Sequence, residues 1–60
     1  MNYKQLKARK QEVEHKIKQL RHKRIAAQNQ GNESLDMGLQ EQQEQLFVEL
    51  GRVAEQLAEA

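Results

Sequence analysis

Apolar residues recur along this chain at alternating intervals of three and four. The first such file runs through Tyr3, Leu6, Lys10, Val13, Ile17, Leu20, Arg24 and Ala27. A second runs through Asp36, Leu39, Gln43, Leu46, Leu50, Val53, Leu57 and Ala60. Sustained 3,4 spacing is the pattern of a helix that buries one narrow seam against another helix. Between the files, Gln28-Asn29-Gln30-Gly31-Asn32 carries no apolar residue. The spacing therefore predicts helix 1 over about 2–29, a turn over about 30–33 and helix 2 over about 33–58. At 1.5 Å per residue each helix is roughly 40 Å long.

The break has the chemistry of a helix end followed by a helix start. Gly31 can adopt the left-handed conformation that closes a helix C-terminus. Arg21, Lys23 and Arg24 fall near that end, where the helix dipole favours cations. Asn32 or Ser34 can accept from the free N–H groups that open helix 2, and Glu33 and Asp36 place negative charge in its first turn. Gly38 leaves open a later start for helix 2, after residue 36.

Folding the chain at Gly31-Asn32 brings the two files into register without a stutter. Ile17 faces Leu46, Val13 faces Leu50, Leu6 faces Leu57 and Tyr3 faces Ala60. Leu20 meets Gln43, Lys10 meets Val53 and Arg24 meets Leu39. The fold class is thus all-α, an antiparallel two-helix coiled-coil hairpin forming a single domain over 1–60. Its intramolecular seam is Tyr3, Leu6, Val13, Ile17, Leu20, Leu39, Leu46, Leu50, Val53 and Leu57. Lys10, Arg24 and Gln43 interrupt that seam. A polar residue there can fix register; for Lys10 and Arg24 the favoured reading is that the stems cover apolar neighbours while the heads reach water.

Helix 2 carries more apolar surface than one partner helix covers. Phe47, Gly51, Ala54 and Ala58 form a further stripe beside the seam, with Val48 adjacent. Glycine in a helix interior costs about 1 kcal/mol against alanine, so Gly51 suggests close approach of another backbone. The stripe reads as a partner or dimer interface anchored on Phe47. Its simplest occupant is a second copy, giving a twofold four-helix bundle.

Composition narrows the classes. A 60-residue chain with no cysteine and no proline has a small core and no disulfide to hold it. Self-association or a partner is the remaining staple. Absence of cysteine fits a cytoplasmic setting. No apolar run is long enough for a membrane span, and residues 1–10 lack the apolar stretch of a signal peptide. Disorder is the rival reading for so polar a chain, but the apolar residues are periodic rather than scattered.

The net charge of +1 hides an uneven distribution. Residues 1–30 hold nine Lys/Arg against two acids, a net +7, and residues 31–60 hold one Arg against seven acids, a net −6. Attraction between a basic and an acidic helix helps set the pairing. Arg9, Lys16 and Lys23 share one flank of the seam, where Glu49 is a candidate partner. Lys4 and Lys18 lie elsewhere around helix 1, and the excess of cations makes Lys4, Arg9, Lys16, Lys18 and Lys23 candidate nucleic-acid contacts. No aromatic platform interleaves with them, so a protein partner is the favoured reading.

Nothing in the sequence calls for catalysis, a cofactor or a metal. His15 and His22 are two helical turns apart, about 10 Å, too far to share one ion. Ser34 is the only serine, and capping explains it. A two-helix rod offers its carboxylates no enclosed pocket.

Two architectures are similar at the level of fold alone. Small plasmid regulators of the Rop type are hairpins that dimerise into four-helix bundles and bind RNA through their first helix. Length and the basic first helix resemble theirs, with no shared motif to align. Transcript-cleavage factors of the Gre type insert an acidic-tipped hairpin into RNA polymerase. Glu33 and Asp36 at the tip, with Gly51-Arg52-Val53 on helix 2, resemble that pattern. These 60 residues hold no counterpart of the globular domain of such factors, and N-capping accounts for the tip acids. Neither resemblance assigns a family. The expected function is a small helical-hairpin module acting as regulator, inhibitor or adaptor on a macromolecular partner, in the style of a phage or plasmid accessory protein. The alternatives are RNA binding through helix 1 or an action on RNA polymerase.

Overall fold

A computed structural model describes residues 2–59. Over those residues it contains two helices, α1 (Tyr3–Asn29) and α2 (Glu33–Glu59), packed side by side into a rod of 44 × 14 × 13 Å. The chain is an all-α helical hairpin.

Local chemistry fixes each helix end. Asn2 caps α1: its side chain accepts from the Gln5 backbone N–H at 2.9 Å, and the Gln5 side chain accepts from the Asn2 N–H at 3.3 Å. This reciprocal pair satisfies two donors that the first turn would leave free. At the other end Gly31 takes φ +70°. Its N–H donates to the Gln28 carbonyl at 3.0 Å, and the Asn32 N–H donates to the Ala27 carbonyl at 2.9 Å. Those two bonds are a Schellman closure, which requires a left-handed residue at the glycine position. Asn32 then serves the next helix, its side chain accepting from the Leu35 N–H at 3.2 Å. Asn32 rather than Ser34 is the cap, and α2 begins at Glu33 rather than after residue 36. The last turn of α1 holds no basic residue; Arg24 lies too early, and its head crosses to the other helix.

The core is a single file. In α1 every seventh residue is buried: Leu6, Val13, Leu20 and Ala27. Leu39, Gln43 and Val53 are buried on α2. Val13 is fully enclosed, at 0 % exposure. Ile17, Leu46, Leu50 and Leu57 are only half-buried, because one partner helix covers one side of a seam and leaves its edges open. A fully buried side chain of this kind is worth about 1.5–3 kcal/mol.

One seam assignment needs correcting. Tyr3 is 59 % exposed. It stands at the open end of the rod, and the position expected to face it, Ala60, lies outside the described residues.

Candidate interaction surfaces

Two of the three polar interruptions of the seam, Arg24 and Gln43, form a bonded layer with Asp36 toward the turn. Arg24 Nε donates to Asp36 Oδ1 at 2.8 Å, and Arg24 Nη1 donates to Gln43 Oε1 at 2.8 Å. The Gln43 amide donates in turn to the Ile17 carbonyl at 3.3 Å. Gln28 adds longer bonds to the Asp36 carboxylate, at 3.3 and 3.4 Å. The guanidinium bond, helped by Gln28 and the positive charge of Arg24, holds the Asp36 carboxyl below its usual range despite partial desolvation. Gln43 is therefore a buried polar residue with both amide atoms paired. Among the described residues no buried side-chain nitrogen or oxygen lacks a partner. The sequence reading sent the Arg24 head to water; it is instead bonded inside the hairpin. Lys10 does lean outward, 3.9 Å from Glu14 on its own helix. The available signal was an Arg and an Asp at seam positions twelve residues apart across a tight turn.

The two flanks of the seam differ. One holds Arg9, Lys16 and Lys23 of α1 against Gln42, Gln45 and Glu49 of α2. Arg9 Nε donates to Glu49 Oε1 at 2.7 Å, Arg9 Nη2 is bonded to the same oxygen, and Nη1 lies 3.3 Å from Glu12. The Glu49 hydrogen bond and nearby negative charge raise the Arg9 pKa above its ordinary value, against a smaller desolvation effect. Lys16 lies 3.3 Å from Glu12, and the Glu12 carboxyl is lowered by Lys16 first and Arg9 second. Between these side chains runs a shallow cleft of about 350 Å³, lined by Lys16, Gln19, Leu20, Lys23, Gln42, Gln45, Leu46 and Glu49.

The opposite flank follows from helical periodicity. It carries Lys4, Lys7, Lys18, Arg21 and Ile25 on α1, and Met37, Glu44, Phe47, Gly51, Ala54 and Ala58 on α2. Its large apolar side chains face solvent: Ile25 is 47 %, Phe47 53 % and Met37 65 % exposed. Val48, at the margin, is 57 % exposed. A Cβ built on Gly51 meets nothing within 4 Å, so the close backbone approach suggested for that glycine is not made within one hairpin. Among the described residues Lys4, Lys7, Lys18 and Arg21 form no ion pair.

Of the candidate nucleic-acid contacts, Arg9 and Lys16 are occupied by carboxylates of this chain, while Lys4, Lys18 and Lys23 are exposed. His15 and His22 are exposed as well, and among the described residues no group of three or more His, Cys, Asp or Glu could hold a metal ion. No helix among them is long and apolar enough to cross a membrane. No protein family, curated protein or solved structure matches the chain.

Proposed function

We propose that this chain is a helical-hairpin interaction module that self-associates and binds a macromolecular partner in the cytoplasm as a regulator, inhibitor or adaptor. The observation that carries this reading is the flank built on Phe47. It collects exposed large side chains, Ile25, Met37 and Phe47, on a fold whose buried polar groups are otherwise satisfied. Large apolar side chains gathered on one flank are the kind of surface a partner can cover. A charged rod whose main cleft among the described residues is shallow suits binding rather than catalysis. Sedimentation equilibrium tests it: wild type sediments as a dimer at micromolar concentration and Phe47→Asp as a monomer. A wild type that stays monomeric at high micromolar concentration removes the self-association part.

A second reading is nucleic-acid binding by α1, favoured by the cations left without carboxylate partners. Such binding would weaken steeply with salt, because each phosphate contact releases condensed counterions. Titrating duplex and single-stranded RNA at two salt concentrations separates the readings. Self-association anchored on Phe47 depends on salt only weakly and is lost in Phe47→Asp, whereas RNA binding through Lys4, Lys18 and Lys23 falls steeply with salt and survives Phe47→Asp.

A further inference from the structure

We infer that the Phe47 flank takes a second copy of this chain with both turns at the same end, so that α1 of each hairpin lies over α2 of the other. This rests on the self-association proposed above and goes further by fixing the arrangement.

Two hairpins stacked on this flank have two twofold solutions. With the axis along the rod, the turns share one end and α1 crosses to α2. With the axis across the rod, the turns point apart, α1 covers α1 and α2 covers α2. Charge separates the two. On this flank α1 presents Lys4, Lys7, Lys18 and Arg21 against the single acid Glu14, while α2 presents Glu33 and Glu44 and no base. Stacking α1 on α1 brings two cationic surfaces together, and like charges at close range oppose association. Stacking α1 on α2 sets opposite signs face to face.

Register sharpens the match. Arg24 is bonded to both Asp36 and Gln43, which sets it level with the middle of that span. At the same register Lys18 of one copy stands level with Glu44 of the other. Ile25 of one copy likewise stands level with Met37 of the other. The exposed apolar pair is covered, and a cation without a partner meets a carboxylate without an ion pair. Gln11 and Lys4 fall opposite Gly51 and Ala58, where small side chains let the helices close.

The chain has no cysteine, so single-cysteine variants label cleanly. Ser34→Cys near the turn, spin-labelled, reports the distance between the two turns by pulsed dipolar spectroscopy. Turns at one end, with neighbouring helix axes about 8–10 Å apart, put the labels within about 30 Å of each other. Turns at opposite ends of a rod 44 Å long put them clearly farther apart, and that distance overturns the arrangement while leaving self-association standing. Labels with no intermolecular distance, in a sample that sediments as monomer, overturn both. A charge exchange gives an independent check. Lys18→Glu and Glu44→Lys each weaken self-association about tenfold, because both contacts of either homodimer then pair like charges, and mixing the two single variants recovers association as a heterodimer in which both contacts pair opposite charges. Combining both changes in one chain restores both contacts. Failure of the double variant to recover, with its helicity intact, counts against the Lys18–Glu44 contact and the stacking built on it.

Discussion

The two flanks of this hairpin are made from the same helices and end in different states. On one, Arg9 is held by Glu49 and Glu12, and Lys16 by Glu12. On the other, Phe47, Met37 and Ile25 face water beside cations that no carboxylate of the described chain engages. The difference teaches where a short chain keeps its capacity to bind. A hairpin buries one seam whatever its partner does; the proposed binding surface is the flank on which Phe47, Met37 and Ile25 lie exposed beside unpaired cations.

The largest way to break the comparison is to remove what both flanks share. Leu20→Ala deletes buried side-chain volume from the central file and should cost about 2–5 kcal/mol, against the roughly 3–5 kcal/mol that a core this small supplies. Circular dichroism at 25 °C should show most of the helicity lost; a melt like that of wild type would mean the seam is not the source of stability. Next comes the closure. Gly31→Ala forces an L side chain into the left-handed region at a cost of about 1–2 kcal/mol, read as a lower urea midpoint with an unchanged slope.

Gly51→Ala distinguishes the flanks directly. A methyl group there meets open space within one hairpin, so helix propensity should add about 1 kcal/mol to the stability of the dilute monomer. Association should weaken at the same time, because the added methyl obstructs the second copy. Stabilisation without any loss of association would put position 51 outside the interface.

Acid tests the polar layer. Asp36 has a folded pKa lowered by Arg24 first, so its contribution is complete above the ordinary value of 3.8 and is lost as pH falls through the lower folded value. Asp36→Asn should flatten the fall in stability below pH 4 relative to wild type. The smallest effect belongs to the closed flank. Arg9→Ala removes a half-exposed ion pair, and surface pairs contribute little; its melt should overlay that of wild type, and its self-association should be unchanged.

Much of this fold was legible in the sequence because its signals were local and periodic. Glycine at the turn and the 3,4 spacing agree on one fold, while the choice of Asn32 over Ser34 as the cap came from the structure. Leu6, Val13, Leu20, Ala27, Leu39 and Val53 all lie on the files the spacing selected, and all are buried. What the sequence left open depended on side-chain reach. Arg24 has a stem long enough either to reach water or to cross the seam, and periodicity does not choose between them. The nearby Asp36 and Gln43 decide it. Tyr3 lay on the right file but at its end, where a seam position is no longer an enclosed one. The proposed interaction flank was half legible: the stripe on α2 showed as surplus apolar surface, whereas the exposure of Ile25 and Met37 on the same flank emerged only once the two helices were set side by side.

The most direct test of the unmatched flank is the dependence of thermal unfolding on chain concentration. A fold stabilised by association melts at a temperature that rises with concentration. The wild-type melting temperature should climb steadily over a hundredfold range of concentration, while that of Phe47→Asp should stay constant and lie at or below the dilute wild-type value. A wild-type melting temperature that does not move over that range would contradict the assignment of this flank to a second copy.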